Sequence, residues 1–130
     1  YRCGTGHSVS FVGNVHEGPH ALNGRNTVVF KPGMIVTDEP GVYEGGQVGI
    51  RIENELMCVH KADNQYGTFL GFEPIMFVPI ATSPVVPGVL TRDELDWLNA
   101  YHREVFTKLA PRLTEEERDW LAKKCAAIGA

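Results

Sequence analysis

Cysteine is scarce in this chain of 130 residues: Cys3, Cys58 and Cys125 are the only three, and no two form a Cys-x-x-Cys pair. That spacing builds neither a zinc ribbon nor a thioredoxin-type centre, and reduced thiols of a cytoplasmic protein are the ordinary reading. Positive charge is also in short supply. Twelve Lys and Arg against 16 Asp and Glu leave a net charge of −4, which argues against nucleic acid as a partner. No apolar run approaches the ~20 residues that cross a bilayer, so no membrane partner is expected. An initial Met, a signal stretch and a transit-peptide pattern are all missing. The abrupt opening Tyr1-Arg2-Cys3-Gly4 is expected to lie inside a larger domain.

What is present is globular in kind. The hydrophobic share is 43%, and without a long charge run that share excludes disorder. Such a length buries about two-thirds of the unfolded surface, enough for a core. Composition then changes near residue 90. Most of the glycines fall in residues 1–49 and four of the five histidines in residues 1–60, whereas helix formers dominate from Leu90 onward.

The C-terminal part, residues 90–130, reads as two packing helices. Thr91-Arg92-Asp93-Glu94 fits a capping box, with Leu90 and Leu95 placed for a hydrophobic staple. Leu95, Leu98, Val105 and Leu109 recur at helical spacing until Pro111. A second box, Thr114-Glu115-Glu116-Glu117, opens a helix carrying Trp120, Leu121 and Cys125. Residues 1–89 read as strands and turns. Val48 to Val59 alternates as one strand, with Ile50, Ile52, Leu56 and Cys58 on one face and Arg51, Glu53 and Glu55 on the other. Val28–Phe30, Met34–Glu39 and Phe69–Ile80 also read as extended, separated by turn material at Lys31-Pro32-Gly33 and Pro40-Gly41. Strands followed by segregated helices predict an α+β fold.

Two literal motif matches fail on physical grounds. His16-Glu17-Gly18-Pro19-His20 satisfies the H-E-x-x-H zinc-protease pattern, which needs both histidines on one helical face. Gly18 and Pro19 cost a helix about 1 and about 3 kcal/mol, so that helix cannot form. Gly4-Thr5-Gly6 begins a dinucleotide-type loop, but Val9 stands where the third glycine is required. A scattered set of ligand-type side chains is left over: His7, His16, Glu39 and Glu53. A carboxylate in an otherwise apolar strand is costly on a buried face unless a cation or hydrogen bonds compensate, and Arg51 could support Glu53. An exposed polar strand face accounts for the same residues. If they do bind metal, imidazole and carboxylate ligands suit Zn or Mn.

Four motifs occur in order: Gly4-Thr5-Gly6-His7; Asn14-Val15-His16-Glu17-Gly18-Pro19; Pro32-Gly33-Met34-Ile35-Val36-Thr37-Asp38-Glu39-Pro40-Gly41; and Gly49-Ile50-Arg51-Ile52-Glu53-Asn54. Together they resemble the C-terminal half of the catalytic domain of the Xaa-Pro aminopeptidases, in peptidase family M24, the creatinase/methionine-aminopeptidase superfamily. Phe72-Glu73-Pro74, Val78-Pro79-Ile80 and the stretch Asp96–His102 are similar to the tail of the cytosolic type. The resemblance implies the C-terminal portion of a pita-bread fold, a curved antiparallel sheet, over residues 1–89, and a helical extension over residues 90–130. It implies two divalent metal ions, Mn²⁺ first and Zn²⁺ or Co²⁺ next, with His7, Glu39 and Glu53 as ligands. His7, His16 and Glu39 would be the catalytic groups. Glu39 would also act as general acid/base, His16 would bind substrate and stabilise the transition state, and Arg51 would support the ligands from behind. The substrates implied are peptides with proline at the second position, hydrolysed at the bond before it.

Ser8 and Ser10 depart from the family's glycines, leaving every ligand in place. A larger departure is that the family's two aspartate ligands have no counterpart among Asp38, Asp63, Asp93, Asp96 and Asp119. They are expected upstream of Tyr1, and the chain alone is expected to be inactive. A prolidase, a creatinase-like hydrolase and a metal-free binding module are the alternatives. A homodimer is expected, because half of a sheet domain exposes a flank.

Overall fold

The computed structural model describes residues 3–129 and divides them into two compact units, one ending at Met76 and the other starting at Phe77. The first unit is antiparallel β structure. Strand β1 (Ile35–Asp38), β4 (Asn54–Asn64) and β5 (Gly67–Pro74) form a three-stranded sheet with β4 in the middle. Register pairs Val36 with Leu56 and Cys58 with Phe72. Strands β2 (Gly41–Glu44) and β3 (Val48–Arg51) form a separate hairpin in which Gly41 faces Arg51 and Tyr43 faces Gly49. The turn Lys31-Pro32-Gly33-Met34 leads into β1: the Met34 N–H donates to the Lys31 carbonyl, and Gly33 takes a φ of 89° that a side chain would disfavour.

The first motif lies alongside β1. The N–H groups of Thr37 and Glu39 donate to the carbonyls of His7 and Thr5, each at 2.9 Å. On its other edge, Ser8 N–H donates to the His20 carbonyl and Leu22 N–H to the Gly6 carbonyl, both at 3.0 Å. Gly6 is needed for this close approach, since a Cβ there would run into the Thr37 carbonyl and the Leu22 side chain. Val36 and Cys58 are the buried apolar residues of this unit, joined by buried Ser8, Thr37 and His20.

The second unit is helical. Helix α1 (Arg92–Leu109) and helix α2 (Glu115–Lys124) both start with the expected capping boxes, Thr91 with Glu94 and Thr114 with Glu117. Hydrogen bonds from the threonines hold both glutamate carboxyls below the usual range. Pro111 ends α1 within a single 3-10 turn, Ala110–Arg112. Tyr101, Val105 and Leu121 form the core, against Phe77, Ile80, Phe106, Leu109, Leu113 and Cys125. Side chains of α1 also fasten the neighbouring chain. Tyr101 Oη donates to the Val78 carbonyl at 2.9 Å, and the Ile80 N–H donates to His102 Nε2 at 3.1 Å. The Asn99 amide both donates to the Ile128 carbonyl (3.1 Å) and accepts from its N–H (3.0 Å).

Several sequence expectations need correction. Val28–Phe30 forms no strand, because the Asn26 side chain takes both backbone groups of Val28 that a ladder would use. Val48 to Val59 is two strands. β3 pairs with β2 and β4 pairs with β1, so the chain changes partner at Ile52-Glu53, and Glu53 sits in that break rather than inside a strand. The extended run from Phe69 ends at Pro74 instead of Ile80, and Gly41 opens a strand instead of closing a turn. Trp120 is 57% exposed and Cys125 caps α2 from just beyond its last turn. Residues 16–20 are not helical, as Gly18 and Pro19 require.

Candidate metal centre

His7 and Glu39 are brought together by the pairing of the first motif with β1. The Thr37 hydroxyl accepts from the His7 backbone N–H (3.0 Å) and donates to Glu39 Oε1 (3.2 Å), so one side chain orients both. His7 Nδ1 lies 3.0 Å from the Ser8 carbonyl, which places the ring proton there and leaves the Nε2 lone pair outward. That Nε2 is 3.1 Å from Glu39 Oε1. An imidazole nitrogen and a carboxylate oxygen at this separation can ligate one cation together. The donor set of one imidazole and carboxylates therefore fits a divalent ion.

Arg51 joins the second carboxylate. Its Nη1 is 3.5 Å from Glu39 Oε2 and 3.8 Å from Glu53 Oε2, while its Nε donates to Tyr43 Oη at 2.8 Å. The Tyr43 hydroxyl, and after it the charges of Glu39 and Glu53, hold the guanidinium above its ordinary value. The His16 ring stands 4.1 Å from that of His7, centroid to centroid, tilted by 39°. His7 and Glu39 thus meet directly, His16 flanks His7, and Glu53 is tied in through Arg51. Among the described residues, no group of three or more His, Cys, Asp or Glu side chains is arranged to hold an ion.

The remaining histidines are structural or superficial. His20 is buried, with Nε2 2.7 Å from the Ile35 carbonyl and its ring edge-on to Phe30. Half-exposed His60 pairs with Asp63 at 2.8 Å. His102 is fully buried, and burial lowers its pKa. Of the other carboxylates, Glu17 accepts from the Asn14 N–H and Glu73 pairs with Lys61. The sequence reading missed Thr37 and Tyr43. Thr37 was visible as the residue two before Glu39, on the same strand face. Tyr43 was visible only as an aromatic between glycines.

Residues 1–60 match the model for metallopeptidase family M24 and residues 68–128 that for the C-terminal region of peptidase_M24. The chain belongs to metallopeptidase family M24. It is 43% identical, over 98% of its own length, to a probable Xaa-Pro aminopeptidase P of Coprinopsis cinerea, and 47% identical, over 93%, to aminopeptidase P2 of Arabidopsis thaliana. It covers 22% and 18% of those two proteins. Among solved structures it is similar to the X-prolyl aminopeptidase of Caenorhabditis elegans, described as a cytosolic enzyme with a di-nuclear active site. There the TM-score is 0.81 at 39% identity, over 96% of this chain and 21% of that one. The chain therefore spans about a fifth of these relatives, and the match bears out the α+β class with antiparallel strands and C-terminal helices. Among the described residues, no helix is long and apolar enough to cross a membrane.

Proposed function

We propose that the intact protein is a cytoplasmic aminopeptidase that removes the N-terminal residue preceding a proline. The observation that carries this reading is the facing pair His7 Nε2 and Glu39 Oε1, 3.1 Å apart, with Arg51 reaching from Glu39 to Glu53. His7, Glu39 and Glu53 are the proposed ligands from this chain, and the other ligands are two aspartates from elsewhere in the protein. Two divalent ions, Mn²⁺ in this reading, would be held by these ligands and would supply Lewis acidity toward the scissile carbonyl and the attacking water. Glu39 accepts that water's proton and returns it to the leaving proline nitrogen. His16, its ring tilted beside that of His7, would donate a hydrogen bond to the scissile carbonyl oxygen. Arg51 keeps the Glu39 and Glu53 carboxylates turned toward one another. Residues 1–89 form the proposed catalytic portion and residues 90–130 a helical extension.

Two ions carry four positive charges, and Glu39 with Glu53 returns only two. The isolated chain is accordingly proposed to be inactive. Exposed Val42, Val48 and Ile50 support the further proposal that the protein is a homodimer, which light scattering checks. The main test assays the full-length protein on a tripeptide with proline second, the matching dipeptide and a proline-free control, before and after chelation and Mn²⁺ return. Metal-dependent, proline-dependent release from the tripeptide is expected. A dipeptide-only preference, full activity without metal, or equal turnover by residues 1–130 alone would overturn the reading.

A further inference from the structure

The β2–β3 hairpin carries an arrangement that the proposed chemistry does not itself use. Tyr43 lies on the same face as Gly41, two residues before it, and opposite Gly49 on the paired strand. Its ring folds over both glycines. A Cβ built on Gly41 would stand 2.5 Å from the Tyr43 hydroxyl and 2.8 Å from both Cζ and the Ile50 carbonyl, and one on Gly49 would stand 3.1 Å from Cδ1. Neither glycine has a positive φ, so what they provide is space and not an unusual backbone. In that groove the hydroxyl reaches Arg51 Nε at 2.8 Å, diagonally across the hairpin, and the guanidinium lies 5.8 Å from the ring centroid.

Arg51 has reason to need such a hold. Its side chain is 48% exposed, and its contacts to Glu39 and Glu53, at 3.5 and 3.8 Å, are longer than a close ion pair. Exposed pairs of that kind hold a side chain only weakly, while an unrestrained arginine has many rotamers to lose. Fixing Nε removes most of that freedom and leaves the Nη groups pointing at the carboxylates.

We infer that Tyr43, seated in the groove left by Gly41 and Gly49, is a positioning residue that sets the metal-binding geometry of Glu39 and Glu53 through Arg51. This rests on the reading of His7, Glu39 and Glu53 as a metal centre. The residue itself touches neither ion nor substrate.

The test compares full-length wild type with Tyr43→Phe, which keeps the ring and deletes the hydroxyl, and with Gly41→Ala, which fills the groove. Metal affinity is read by competition with a chromophoric chelator for Mn²⁺, kcat and KM are read on a proline tripeptide, and a crystal structure of each metal-free variant reads the Arg51 position. Loss of a partner behind metal ligands weakens metal binding by roughly 10–100-fold, and Tyr43→Phe is expected at the lower end. Its kcat should fall by about tenfold with KM nearly unchanged, because the substrate contacts are intact. Gly41→Ala should do the same in wild type, because its Cβ would displace the Tyr43 ring. In the metal-free Tyr43→Phe crystal, Arg51 should leave Glu39 or take several rotamers. Wild-type Mn²⁺ affinity and kcat in Tyr43→Phe, with Arg51 unmoved, would overturn the inference while sparing the proposed function. Wild type that binds no Mn²⁺ would instead overturn the proposed function, and this inference with it.

Discussion

The two units hold together in opposite ways. The first has Val36 and Cys58 as its buried apolar side chains, and much of its order comes from backbone hydrogen bonds between the first motif, residues 20–22 and β1. The second buries Leu95, Leu98, Tyr101, Val105, Ala110 and Leu121 and closes both helix starts with reciprocal caps. A thin core with glycine-permitted close approaches brings charged side chains together, at the expense of stability. A packed helical core does the reverse. Side chains that carry chemistry should therefore fail in activity when changed, and those of the helical unit should fail in folding.

The largest expected effect lies in the first unit. Glu39→Gln in the full-length protein should lower kcat by about a thousandfold, within the range for losing a proton-transferring carboxylate. Its thermal midpoint should stay within a degree or two of wild type, and a matching loss of stability would blur the contrast between the units. Next is Leu121→Ala in the helical core, expected to cost about 3 kcal/mol in denaturant unfolding. Thr91→Ala and Thr114→Ala should each cost about 1 kcal/mol, because each leaves the first turn of a helix without its acceptor. Larger losses would mean that the helix starts contribute more than capping.

The smallest effect concerns His102. Burial lowers its pKa from the ordinary 6.5, so the unfolded chain binds more protons than the folded one just below that pH. The stability this side chain contributes is thus present above pH ~6.5 and is lost as pH falls through the window beneath it. Unfolding midpoints measured between pH 7.5 and 5 should show that decline, and His102→Phe should remove its share of the slope. A slope unchanged in the variant would assign the acid sensitivity to other groups.

Legibility in the sequence followed the locality of the forces. The caps at Thr91 and Thr114 depend on residues three apart, and both appear as read. The α+β order was also readable, because strand alternation and helical spacing are short-range patterns. Where partners are remote, the reading failed. Nothing local says that β3 and β4 belong to different sheets, so Glu53 was placed inside a continuous strand. Nothing local says that Asn26 would occupy the backbone of Val28. His7 and Glu39 stand 32 positions apart, and their meeting was legible only because the motifs around them resemble a family. The physical agent of that meeting, Thr37, was hidden because a threonine in a strand is commonplace. Tyr43 was hidden because its partner lies diagonally across a hairpin that the sequence reading did not anticipate.

The clasp between Asn99 and Ile128 has a consequence of its own. The Asn99 amide presents a donor and an acceptor side by side, so to the tail it is a single peptide unit of a neighbouring strand mounted on a helix. A ladder one rung long has no register to slip along. Asn99→Asp, nearly identical in shape, would set one oxygen against another at the Ile128 carbonyl and turn that rung from attraction to repulsion. In hydrogen exchange, the Ile128 amide should be the slow position in an otherwise fast tail, and it should join its neighbours once the rung is cut.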